Sequence, residues 1–128
     1  MLGPYRLPGV VKKILVPVIE QGVAQLYRIR PEPVAQSQVR MEEGLALIEA
    51  RIQGDPERYL VGEQLTLADI AAASLYGPLL APAGTPWDFM DENDLPAGVV
   101  AQLHAYRDRP AGQWVLRRYE KDRRVTAA

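Results

Sequence analysis

The chain has 128 residues, with 48% hydrophobic and 24% charged residues, which is typical of one soluble globular domain with a sizeable core. It contains no cysteine, so disulfides, thiolate nucleophiles and cysteine-ligated metals within the chain are excluded. The net charge is −1, and although basic residues gather toward both ends, no recognised nucleic-acid motif accompanies them, so solvated helix faces explain the charge better than a nucleic-acid partner does.

We expect a single helical domain over residues 1–128. Glycines and prolines interrupt residues 1–9, which predicts an irregular N-terminal segment, and the polar residues 121–128 predict a frayed tail. No secretion signal is recognisable at the N-terminus, so a cytoplasmic location is expected.

Two helices are predicted in the first half of the chain. Apolar residues recur at steps of three and four from Val10 to Ile29, which indicates a helix bent in its middle by Pro17. A second helix is predicted from Pro33 to about Gln53, ended by the glycine and proline that follow. Its predicted apolar face consists of Val34, Met41, Leu45, Ile48 and Ile52.

A helix-start signal follows at residues 65–70. Thr66 fits the N-cap, and Asp69 lies three residues on, where its carboxylate can accept from the N–H of Thr66 in a capping box. Leu65 and Ile70 then occupy the two positions of a hydrophobic staple. Both Thr66 and Asp69 are interpreted as structural, since a catalytic aspartate at a helix start is far less common than a cap.

The helix that begins near Thr66 is predicted to be the buried centre of the domain. No charged residue occurs between Asp69 and Asp88, and a helix that is apolar on all faces belongs in a core or a membrane. The apolar run to Pro82 is shorter than the roughly 20 residues that a membrane span requires, so no membrane association is expected.

The rest of the chain predicts a long loop and two further helices. Residues 83–98 are irregular, and apolar residues from Val99 to Tyr106 form one helix face. The pair Arg109-Pro110 breaks this helix, and a last helix begins at about Pro110. Because no strand pattern is present, the predicted fold class is all-α.

Few residues are candidates for chemistry. The acids from Asp88 to Asp94 lack the glycine of a calcium loop, and His104 has neither a second histidine nor a cysteine for zinc, so no metal is expected. No nucleophile elbow or phosphate-binding loop is present, and no catalytic residue is assigned. Tyr27, Tyr76 and Trp87 are candidates for an apolar pocket; the alternative for each is a place in the core.

Two sequence segments resemble a known family. Residues 59–70, Tyr-Leu-Val-Gly-Glu-Gln-Leu-Thr-Leu-Ala-Asp-Ile, are similar to the segment YLxGxxxTxADI of the C-terminal, all-helical domain of the glutathione transferase superfamily. Residues 106–111, with Arg109-Pro110, resemble the turn before a late helix of that domain, and residues 114–119 resemble a subset of bacterial members. The resemblance extends from about Val10 to Arg124 and implies a helical bundle around the helix that starts near Thr66.

In that family an N-terminal thioredoxin-like domain binds glutathione and supplies the residue that activates its thiol. This chain shows no βαβ pattern, so the resemblance implies the second half of such a protein, either a fragment or the product of a truncated gene. It would supply the scaffold, part of an apolar electrophile pocket and a dimer or domain surface. By itself it is expected to be inactive, to bind no cofactor, and to pair with a thioredoxin-like domain or a second copy of itself.

Two other functions remain open. The chain could be a free-standing helical module for protein–protein contact, without catalysis. It could also be an unrelated helical bundle with a small-molecule pocket, which would be favoured by a structure that lacks a buried helix starting at Thr66.

Overall fold

The protein is all-α in a computed structural model that describes residues 9–26, 30–88 and 91–123. This part of the chain contains no β-strand, which confirms the predicted fold class. Five α-helices and one short 3₁₀ helix follow in the order α1 Gly9–Leu26, α2 Pro31–Ile52, α3 Leu67–Leu80, the 3₁₀ helix Glu92–Asp94, α4 Ala97–Asp108 and α5 Pro110–Lys121. None of the helices described has both the length and the apolar character needed to cross a membrane.

The chain divides into two compact units, residues 1–41 and residues 42–128. The first unit contains α1, with Pro17 inside it, and the first half of α2. The predicted start of α1 lies one residue after the observed one, and its predicted end at Ile29 lies outside the described residues. Of the irregular segment predicted over residues 1–9, only Gly9 is described, and it is helical; of the frayed tail, Lys121 ends α5 and residues 124–128 are not described.

The second unit contains the core. α3 packs against α4 and α5, and α4 packs against α5. From α2, the core takes Leu45, Ile48 and Ile52, which lie on the apolar face that the sequence predicts. α3, α4 and α5 contribute the further buried apolar side chains Ala73, Tyr76, Leu80, Tyr106, Ala111, Trp114 and Val115, and Pro82 is buried just after α3.

Helix ends follow from local chemistry. After α2, Gly54 has a φ of +81°, a conformation that a residue without a Cβ adopts without strain. After α3, Ala81 is left-handed, and its N–H donates to the carbonyl of Gly77 at 2.9 Å. Pro110 lies at the first turn of α5, where its missing N–H would have had no helical partner. Arg109 is therefore a one-residue link between α4 and α5.

Three glycines allow close packing within the second unit. A Cβ on Gly44 would collide with the hydroxyl of Tyr76, so α2 and α3 meet at this point. A Cβ on Gly77 would collide with the hydroxyl of Tyr119 of α5. A Cβ on Gly112 would collide with the backbone carbonyl of Tyr106, which lies just before the link between α4 and α5.

The burial of α3 differs from the sequence expectation. One face is buried and carries Asp69, Ala73, Tyr76, Gly77 and Leu80, which makes α3 central to the bundle as predicted. The opposite face is apolar but open: Leu67 is 78% exposed and Leu75 is 72% exposed. The central helix is thus buried on one side only, because the side chains of a helix reach the core only where a neighbouring helix packs on them, and apolar composition does not supply that neighbour.

Candidate functional site

The carboxylate of Asp69, which has no exposed surface, caps the start of α3. Oδ2 of Asp69 accepts hydrogen bonds from the N–H of Thr66 at 2.8 Å and from its hydroxyl at 3.0 Å. Both contacts of a capping box are present. Burial of this charge is tolerated because the carboxylate is hydrogen-bonded and lies at the positive end of the helix dipole.

The same carboxylate also holds the segment before the helix. Oδ1 of Asp69 accepts a hydrogen bond of 2.8 Å from the N–H of Leu60, which lies in the irregular connector of residues 53–65. Leu65 and Ile70, the predicted staple residues, are 39% and 50% exposed. Asp69 therefore fixes both the start of α3 and the path of the chain that leads to it.

Side chains at and just after α5 also form hydrogen bonds with the connector. The indole N–H of Trp114, a side chain with no exposed surface, donates to the carbonyl of Arg58 at 2.8 Å. The hydroxyl of Tyr59 donates to Oδ1 of Asp122 at 3.0 Å. These contacts bridge 56 and 63 residues of sequence, so they are tertiary rather than local.

A buried arginine strengthens this attachment. The guanidinium carbon of Arg118 lies 4.5 Å from the centroid of the Tyr59 ring, within the range of a cation–π contact. One of its terminal nitrogens donates to Asp122 at 2.7 Å, and the other donates to the carbonyl of Pro56 at 3.0 Å. Because Asp122 balances its charge, Arg118 can stay almost completely buried.

A cluster of ion pairs at the surface joins Glu57 of the connector to α5. Glu57 accepts from Lys121 at 2.7 Å and also pairs with Arg117. These two hydrogen bonds, that of Lys121 first, lower the pKa of the Glu57 carboxyl to about 2. The same contacts raise the pKa of Arg117 and of Lys121.

Arg109 joins α2 to the link between α4 and α5. Its guanidinium donates to both carboxylate oxygens of Glu49, at 3.1 and 3.3 Å, and also pairs with Glu42. The hydroxyl of Tyr106 donates to Glu42 at 2.7 Å. The Tyr106 hydrogen bond, followed by that of Arg109, lowers the pKa of Glu42, while Glu49 and Glu42 raise the pKa of Arg109.

The second unit contains openings of the size of small-molecule sites, two of which lie beside the connector or the start of α3. A groove of about 330 Å³ is formed by the start of α3 and the end of α5, with Leu65, Ile70 and Ala73 among its apolar lining. A cleft of about 700 Å³ lies at the end of α2 and along the connector, and it is polar. Its charged lining consists of Arg51, Asp55, Glu57, Arg58 and Glu63.

Two of the three residues predicted to line an apolar pocket, Tyr76 and Trp87, belong to the described residues. Tyr27 lies outside them. Tyr76 is buried, with its hydroxyl against Gly44, and burial raises its pKa. Trp87 lies in the loop after α3 and is 43% exposed. Neither Tyr76 nor Trp87 lines the groove or the cleft.

The acidic loop and the histidine contact each other. Oε2 of Glu92 lies 2.8 Å from Nε2 of His104, and Oε1 accepts from Arg107 at 2.7 Å. These two contacts, that of His104 first, lower the pKa of Glu92. Oδ1 of Asp91 accepts from the N–H of Asn93 at 2.9 Å and so caps the 3₁₀ helix. Among the residues described, no three acids or histidines lie close enough together to hold a metal ion.

Sequence reasoning missed the residues that tie the helices together, above all Arg109, Arg118 and Tyr59. Tyr59 belongs to the segment that carries the family resemblance, but its hydrogen bond to Asp122 could not be inferred from that segment alone. Arg109 carried one usable signal: it precedes a proline, so its backbone is extended, and it ends one helix while starting the next.

The contacts of these side chains hold the helices and the connector together. The described partners of Asp69 are the N–H and hydroxyl of the N-cap Thr66 and the N–H of Leu60 in the connector, and the partner of His104 is a carboxylate at the surface. The second unit has an exposed apolar face on α3 and a groove next to it. Such a surface can bind apolar groups of a ligand or of another polypeptide.

The comparisons with known proteins identify the family. The family described as glutathione S-transferase, C-terminal domain matches residues 31–109, a range that begins with α2 and ends at the link between α4 and α5. Searches of the curated proteins and of the solved structures give no significant match. The matched range is more than half of the chain and includes the capping box, the connector and the Arg109 cluster. The chain therefore belongs to the family of glutathione S-transferase C-terminal domains.

Proposed function

We propose that this chain is the helical part of a glutathione transferase-like protein in which the whole protein conjugates glutathione to an electrophile. The chain contributes the scaffold, part of an apolar electrophile pocket, and a surface that meets a thioredoxin-like domain or a second copy of the chain. Glutathione binding and thiol activation belong to the thioredoxin-like domain. The proposal includes a cytoplasmic location, where glutathione keeps thiols reduced.

The open face of α3 is the observation that carries this proposal. Its large side chains Leu67, Ile70 and Leu75 are between 50% and 78% exposed, and no charged side chain lies on the helix after Asp69. Contiguous apolar surface on a soluble protein marks a site of interaction. Next to this face lies the groove, whose apolar lining suits the hydrophobic part of an electrophile.

An activity measurement tests where the chemistry takes place. The purified 128-residue chain is mixed with glutathione and a chlorinated aromatic electrophile, and thioether formation is followed by absorbance. We expect a rate equal to the uncatalysed reaction, and no heat of glutathione binding in calorimetry. Turnover above the uncatalysed rate would overturn the assignment of the chemistry to a partner domain.

A dye-binding measurement tests whether the open face of α3 is an exposed apolar surface. The chain should bind a hydrophobic dye such as ANS through the open face of α3, and Leu75→Glu should reduce this binding while leaving the circular dichroism spectrum unchanged. Ala101→Glu, at an exposed position of α4, introduces the same charge elsewhere and should leave dye binding unaltered. Equal dye binding by both variants would show that the α3 face is not the exposed apolar surface.

Light scattering addresses the alternative of a free-standing interaction module. Such a module must cover its apolar face with a second copy or a partner, because large open apolar patches are rare in monomers. A well-behaved monomer at high concentration would count against the module. A dimer that Leu75→Glu dissociates would identify a second copy as the occupant of the α3 face, an outcome that the proposed transferase domain and the module share.

A further inference from the structure

No further inference is drawn: the strongest candidate, the apolar groove of about 330 Å³ formed by the start of α3 and the end of α5 together with the open α3 face beside it, belongs to the surface already proposed to meet a partner, and nothing in the structure shows what covers it.

Discussion

The N–H of Leu60 and the carboxylate of Asp69 are joined by a hydrogen bond of 2.8 Å, nine residues apart in the sequence. Asp69 has no exposed surface and also accepts two hydrogen bonds from Thr66. It is thus more than a helix cap, because its loss would leave the N–H of Leu60 without a partner as well as that of Thr66. The free energy attached to this one carboxylate should exceed that of an ordinary cap.

Replacing Asp69 should therefore destabilise the protein strongly. A lost cap costs about 1 kcal/mol, and each stranded buried donor adds about 1 to 3 kcal/mol. We expect Asp69→Ala to lower the free energy of unfolding by about 3 kcal/mol, measured by urea denaturation followed by circular dichroism. Asp69→Asn, which keeps one acceptor oxygen, should lose less.

Glu63→Ala is the matched control for Asp69→Ala. Glu63 is an exposed acid of the connector, so its removal should change the free energy of unfolding by less than about 0.5 kcal/mol. If Asp69→Ala proved as mild as this control, the carboxylate would not hold the connector in solution.

The pair of Arg109 and Glu49 should show a measurable coupling energy. The planar guanidinium and the planar carboxylate are joined by two hydrogen bonds, a better geometry than that of most surface pairs. Both side chains are only about 28% exposed. A double-mutant cycle with Arg109→Ala and Glu49→Ala should give about 1 kcal/mol. The exposed pair Arg117 and Glu120 in α5 is the control, and its cycle should give less than about 0.5 kcal/mol. Equal coupling in the two cycles would contradict a special role for Arg109.

Stability should fall in acid, partly through Glu57. The pKa of its carboxyl is about 2 in the folded protein and 4.5 without the folded contacts. A lowered pKa stabilises the folded state at pH values above 4.5, and this contribution is lost as the pH falls toward 2. The urea midpoint of the wild type should therefore drop more between pH 5 and pH 3 than that of Glu57→Gln.

Glu63→Gln provides the comparison for this pH profile. It removes an exposed acid outside the cluster of Glu57, Arg117 and Lys121, so its profile should follow that of the wild type. Parallel profiles of the wild type and Glu57→Gln would show that the cluster does not form in solution.

Two glycine-to-alanine substitutions should have opposite effects. In α5, the new Cβ of Gly112→Ala would meet the backbone carbonyl of Tyr106, which cannot move aside as a flexible side chain can. We expect a loss of about 2 to 3 kcal/mol from overpacking. In α4, the new Cβ of Gly98→Ala would meet nothing within 4 Å, so the better helix propensity of alanine should add up to about 1 kcal/mol. The unfolding temperatures of both variants test this prediction. An unchanged unfolding temperature for Gly112→Ala would show that α4 and α5 do not pack so closely.

The helices could be predicted because their signals are local. Period, caps and breakers located α2 to within a few residues and placed the start of α3 next to Thr66. The one-residue link at Arg109 followed from the proline after it. Caps and breakers act within about one helical turn and the hydrophobic period acts within one helix, so a single sequence is sufficient to detect them.

The features that eluded prediction depend on distant parts of the chain. The sequence showed that Leu67 and Leu75 are apolar, but their exposure is decided by which helices pack against α3. It showed a tryptophan at position 114. It did not show that the indole N–H of Trp114 would donate a hydrogen bond to the carbonyl of Arg58, 56 residues away. The apolar pocket expected from Tyr27, Tyr76 and Trp87 stays a prediction, because aromatic character does not specify a neighbour.

The attachment of the connector has a consequence for how the protein opens. Pro56, Arg58 and Leu60 lie outside regular secondary structure, yet each is hydrogen-bonded to α3 or α5. Tyr59 is hydrogen-bonded to Asp122, the residue that follows α5. Local fluctuations cannot release this segment without breaking contacts to two helices, so it unfolds cooperatively with them. The amide N–H of Leu60 should therefore exchange slowly with solvent, and the irregular stretch around it should resist proteolysis as a helix does.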